Sequence, residues 1–124
     1  MNIARNITLF ALLSILFIQC KKDDIYVHQS DWVTKNFADW TLSDGNTRLT
    51  TTFPAPEVTL ERINKSNISV YLKMQQNITS IPTRLLDGKL VMTEITNGQI
   101  KVIIQSNTPV SEFETVEFRY VIEH

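Results

Sequence analysis

Cysteine, histidine and glycine are the scarce residues here: one, two and three of them in 124 positions. A single cysteine excludes an intramolecular disulfide, so a folded domain must stand on its apolar core alone. The two histidines, His28 and the last residue His124, form no clustered ligand set of the kind zinc requires, and neither metal nor cofactor is expected. Three isolated glycines cannot build a phosphate-cradling loop. Basic clusters are missing as well. Positive charges are scattered singly from Lys35 onward and the net charge is −1, which argues against a nucleic-acid partner.

What is present begins with an apolar run. Ile7 to Ile18 is interrupted only by Thr8 and Ser14, and Arg5 precedes it. Twelve residues suit the core of a signal peptide, whereas a spanning helix needs about 20. The run ends at Phe17-Ile18-Gln19-Cys20, followed by Lys21-Lys22-Asp23-Asp24. No small residues precede a cleavage point, as ordinary secretory processing prefers. The border resembles a bacterial lipoprotein signal of the relaxed kind found in the Bacteroidota, with Gln19 where Gly, Ala or Ser is usual. That resemblance implies cleavage before Cys20 and acylation of its sulfur and amine. Two or three acyl chains, each buried methylene worth about 0.8 kcal/mol, hold durably where one does not. Lys22-Asp23-Asp24 resembles the signal that directs such proteins to the cell surface. The expected organisation is therefore a signal-peptide helix over 1–19, a charged tether over 20–24 and one domain over 25–124. The expected location is the outer membrane, lipid-anchored and facing outward.

Loss of Arg5 with the signal leaves 11 of the 12 basic residues against 13 acidic ones, a net charge near −2. A chain of this size buries roughly two thirds of its unfolded surface, enough for a modest core. Each glycine follows Asp or Asn, at Asp44-Gly45, Asp87-Gly88 and Asn97-Gly98. These dipeptides supply the positive φ of tight hairpins. Between them polarity alternates with period two. Val116, Phe118, Tyr120 and Ile122 share one strand face, as do Ile68, Val70, Leu72 and Met74. Residues 99–105 alternate similarly, except that Ile103 predicts cover on both faces.

A two-residue turn at Asn97-Gly98 sets a register: Thr96 opposite Gln99, Ile95 opposite Ile100, Glu94 opposite Lys101. The same rule at Asp87-Gly88 would place Arg84 opposite Val91 on the buried face, so a longer loop or a bulge is expected near 86–89. Further strands are expected over 25–33, 36–42 and 47–54. Pro56-Glu57 is expected to open one or two helical turns that end near Lys65-Ser66-Asn67. About eight short strands with turn signals every eight to twelve residues predict an all-β fold, a sandwich or small barrel, of which the antiparallel sandwich is the one expected.

Several patches resemble a group of short, uncharacterised Bacteroidota lipoproteins and secreted proteins. They are Tyr26–Val33 with its Ser-Asp-Trp, Ala55-Pro56-Glu57-Val58-Thr59 with Ile63, Val70-Tyr71-Leu72-Lys73, and Phe118-Arg119-Tyr120-Val121-Ile122. The resemblance covers most of 25–122, departs at Asp87-Gly88, and implies export and a β-rich domain without implying an activity.

No catalytic constellation is evident. His28 reads as a half-exposed strand residue and His124 as a frayed end. Glu112, Glu114 and Glu117 read as solvated strand-edge charge, and so small a sandwich is expected to leave no large pocket. The chain is therefore expected to be no enzyme. Trp32 and Trp40, near Phe37 and Tyr26, are the residues able to stack on a sugar ring; Trp40 also fits a buried strand face with Ala38 and Leu42. Two readings follow. One is a surface lipoprotein whose domain binds or assembles with another envelope protein. The alternative is a carbohydrate-binding module that uses Trp32 and Trp40 on a surface glycan.

Overall fold

A computed structural model describes residues 26–124; the signal segment, Cys20 and the tether lie outside the described residues. The strands are β1 (Val27–Gln29), β2 (Val33–Lys35), β3 (Thr41–Ser43), β4 (Arg48–Pro54), β5 (Asn67–Met74), β6 (Asn77–Ile81), β7 (Thr83–Arg84), β8 (Leu90–Thr96), β9 (Gln99–Gln105) and β10 (Val116–Glu123). One helix, α1 (Leu60–Lys65), stands between β4 and β5, and a 3-10 turn covers Phe37–Asp39. Two antiparallel five-stranded sheets face each other, so the all-β sandwich expected from the sequence is the fold. Sheet I runs β1-β10-β5-β6, with β2 also on β10, and sheet II runs β3-β4-β9-β8-β7.

The alternation read from the sequence packs these sheets. Phe118 and Tyr120 of β10 stack on Phe53 of β4 at centroid distances of 6.1 and 6.3 Å. Val70 and Leu72 from sheet I and Leu49, Val91, Val102 and Ile104 from sheet II complete the buried centre. Ile103 is 4% exposed although it lies on the opposite face of β9, between Thr50 and Met92. The β8–β9 hairpin has the predicted register, and Lys101 Nζ approaches Glu94 Oε2 at 4.0 Å.

Three local expectations change. The strand expected over 25–33 is interrupted, because both β1 and β2 pair with β10 and three residues (30–32) oppose two (119–120). This is a bulge, and it reverses the parity of the edge strand. His28 faces inward opposite Ile122, and Val33 faces inward opposite Phe118. Ser30 repairs the ladder there, since its N–H donates to the Tyr120 carbonyl and its Oγ accepts from the Tyr120 N–H, both at 3.0 Å. The strand expected over 36–42 is a 3-10 turn followed by β3, because the Asp39 carboxylate accepts the Asn36 N–H at 2.8 Å while the Asp39 N–H donates to the Asn36 carbonyl at 2.9 Å. The helix begins later than Pro56: Thr59 is the N-cap and accepts from Arg62 N–H at 3.3 Å, while Val58 N–H closes a turn onto Ala55. At Asp87-Gly88 the expected longer loop is found. Five residues separate Arg84 from its partner Leu90, and Thr83 rather than Arg84 faces Val91.

Candidate functional site

The two ends of the sandwich differ. At one end the sheets are tied together. The Ala55 N–H donates to Gly98, and the Gly98 N–H donates back to Val58, fastening the crossover segment to the β8–β9 turn of sheet II. From that segment Glu57 reaches sheet I, where its carboxylate accepts the Tyr120 hydroxyl and lies 3.6 Å from His28 Nε2. Arg62 donates to the Glu57 carbonyl at 2.9 Å and covers the Tyr26 ring at 4.1 Å. His124 is held at the same end, its N–H on the Tyr26 carbonyl and its Nδ1 3.1 Å from the Lys65 carbonyl oxygen. The C-terminal residue is thus anchored rather than frayed.

The Tyr120 hydrogen bond holds the Glu57 carboxyl below its ordinary range, while burial, and then Glu57, push the Tyr120 phenol up. Both groups are driven away from neutral pH, the reverse of what a general acid or base at pH 7 requires. His28, Glu57 and Tyr120 therefore form a structural tie. No local pattern in the sequence announces it, because its partners stand 63 positions apart.

At the other end the sheets part. A cleft of about 770 Å³ opens between β6 and the 85–89 loop. Leu72, Met74, Leu85 and Phe113 supply its apolar lining; Thr79, Asn77 and Arg84 supply polar groups. The expectation that so small a sandwich leaves no large pocket is corrected by this opening. Such a volume lies within the range of ligand sites. It exists because Asn77 and Thr79 occupy the inward face of β6, opposite Met74 and Leu72, where apolar residues would have drawn the sheets together.

Glu112 and Glu114 border the cleft, whereas Glu117 lies on the outer face of sheet I with Lys73 at 3.5 Å. Glu114 accepts from Gln75 Nε2 at 2.8 Å. Glycosidase carboxylates flank the scissile bond, but residues two apart in one segment stand on the same wall. Asp87, on the opposite wall, is bonded by Lys89, which holds its carboxyl below the ordinary range rather than protonated. Among the described residues, no group of three or more His, Cys, Asp or Glu is placed to hold a metal ion.

The two tryptophans separate. Trp40 is 6% exposed and meets Phe113 and Phe118 edge-on at 5.7 and 5.9 Å. It belongs to the core and presents no ring face to a ligand. The bulge places Trp32, half-buried, over the outer face of sheet I, with Arg119 Cζ 4.4 Å and Lys73 Nζ 5.4 Å from its ring centre. The structure does not bring Trp32 and Trp40 into one site. Among the described residues no helix is long and apolar enough to cross a membrane. No protein-family model, curated protein or solved structure matches this chain.

Proposed function

We propose that this chain is a lipid-anchored protein of the outer membrane surface whose domain is a non-enzymatic binding module, with the inter-sheet cleft as its ligand site. The observation that carries the binding reading is the cleft itself: an apolar floor, a polar rim, and no acid–base pair poised across it. The lipid anchor rests on the sequence around Cys20 and on the resemblance to Bacteroidota lipoproteins.

The strand registers add an orientation. Tyr26, where the described chain begins, lies at the tied end beside His124. The cleft lies at the opposite end, beyond Met74 and Val116. Six residue steps separate Cys20 from Tyr26, a reach of at most about 20 Å. An acylated Cys20 would therefore hold the tied end near the membrane and turn the cleft away from it, some 25 Å farther out along an eight-residue strand.

Mass spectrometry of the mature product and thiol labelling of intact cells test this together. An acylated Cys20 leaves no free thiol, so Leu86→Cys at the cleft would be the single labelled site on cells expressing the full chain. A mature product that retains residues 1–19, or a Cys20 that takes the label, refutes the anchor.

A glycan reading through Trp32 keeps one supporting observation, its partly accessible ring over the face of sheet I. Arg119 and Lys73 already stack on that ring, so a sugar could use only the face they leave free. Quenching of Trp32 fluorescence by envelope polysaccharide would support this reading; an unchanged spectrum would dismiss it.

A further inference from the structure

We propose that β6 accepts an extended segment of a partner protein as an added strand, with alternate side chains of that segment set into the cleft. The inference rests on the cleft being the binding site and names the class of ligand that fits it.

The edges of the two sheets are not equally guarded. The β1–β2 edge carries the bulge at 30–32, β3 has three residues and β7 has two. Bulges and short strands are the usual means of discouraging edge pairing. β6 has neither. It runs five residues, Asn77-Ile78-Thr79-Ser80-Ile81, without a charge, a proline or a bulge, and among the described residues pairs with β5 alone.

The free backbone groups of that edge can be assigned. Gln75 and Gln76, at φ of 49° and 70°, form a two-residue turn that leaves Met74 opposite Asn77. Positive φ at both positions is the hairpin turn in which the flanking pair exchanges hydrogen bonds. Pairing then alternates along the ladder, so Asn77, Thr79 and Ile81 address β5. The N–H and C=O groups of Ile78 and Ser80 point away from it.

An extended backbone supplies the complementary row of acceptors and donors, which is the physical basis of strand addition. Its inward side chains would lie over Thr79 and Asn77 and reach Met74, Leu85 and Phe113, which asks for apolar residues at alternate positions. Its outward side chains would run beside Ile78, which is 58% exposed. Charge refines the match. Asp87 is neutralised by Lys89, but Glu112 and Glu114 have no cationic partner among the described residues, so a basic residue is favoured at the Gln75 end. A second copy fits less well, because pairing two β6 edges would leave both clefts unfilled.

The test uses full-length protein in detergent micelles and a display library of random linear peptides, each long enough for a strand of about six residues. Selected peptides should share alternating apolar positions and slow hydrogen exchange at the Ile78 and Ser80 amides above their neighbours. Ser80→Pro removes one outward donor while sparing the ladder to β5, and should weaken binding about tenfold. Ile78→Lys, on an exposed side chain, is a second variant that leaves packing intact and should also weaken it. Thr79→Arg, which fills the cleft mouth, should abolish it.

Peptides lost with Thr79→Arg but indifferent to Ser80→Pro would overturn strand addition while leaving the cleft as the site. A library that yields no binder would overturn the peptide ligand. If envelope polysaccharide, and no peptide, protects the cleft amides, the ligand class falls and the cleft stands. Protection of Ile78 and Ser80 without peptide, together with doubled mass, would assign the edge to self-pairing and overturn a partner protein.

Discussion

Replacing Tyr120 by Phe isolates the tie that closes one end of the sandwich. The ring is retained, so the stacking on Phe53 survives and only the hydroxyl bonded to Glu57 is lost. A hydrogen bond to a charged group contributes about 1.5 to 3 kcal/mol. Glu57 keeps 33% of its side chain in water and can rehydrate, which places the loss at the low end, about 1 to 2 kcal/mol. For a domain of this size that lowers Tm by roughly 5 to 10 °C. The pH dependence carries the mechanism. Glu57 is held below its ordinary value of 4.5, so its contribution is fully present above that pH and fades as pH falls through the folded-state value. Tyr120 is held above 10.0, so its contribution is complete below that pH and fades as the solution becomes more alkaline. Urea unfolding of wild type and Tyr120→Phe should therefore differ most between about pH 5 and 9, and less at pH 3. A gap constant from pH 7 to 3 would refute the ionised partner. So would additivity of Tyr120→Phe with Glu57→Gln, since a shared bond demands coupling.

Three further outcomes follow from the same structure. Phe118→Ala, deep between Phe53 and Trp40, should cost about 3 to 5 kcal/mol, a large share of a small domain's stability, and lower the urea midpoint followed by circular dichroism more than any other substitution proposed for this domain. Gly98→Ala meets no atom within 4 Å but must hold φ of 78°, so a loss of about 1 kcal/mol should appear as a lower urea midpoint with unchanged slope. Trp32→Ala removes the ring stacked by Arg119 and Lys73 and should cost only about 0.5 to 1 kcal/mol. The remaining fluorescence, from Trp40, should then be blue-shifted and shielded from iodide.

The β8–β9 hairpin could be read from the sequence because turn and strand agree: Asn97-Gly98 demands one geometry, and the alternation on both sides demands the same register. The edge strand could not. Tyr26, His28, Ser30 and Trp32 alternate as though they shared a face, yet one inserted residue against β10 changes the parity after Gln29. Bulges leave no reliable trace in a period-two pattern, and this one decides that Trp32 lies outside while Val33 turns in. The Gln75-Gln76 turn is illegible in the sequence for a related reason. Positive φ is expected of Gly or Asn, and two glutamines carry no such signal. Glu57 was legible as a residue but not as a site, because its proximity to Pro56 and the coming helix suggested local capping while its actual partner lies on the last strand.

The cleft was hidden by the same logic, and its position argues for its role. A sequence selected only for stability would place apolar residues at Asn77 and Thr79, opposite Met74 and Leu72, and draw the sheets together there. It would put Asn-Gly rather than two glutamines in the hairpin turn, and a lysine or proline on an exposed five-residue edge. All three departures fall within residues 75–81. At the tied end, by contrast, turn, helix and both sheets are fastened by Glu57, Tyr120 and Arg62. Three departures from folding rules within seven successive residues mark a place where something other than folding shaped the chain. Here they define one wall of an open cleft and the only strand edge among the described residues left both long and unguarded.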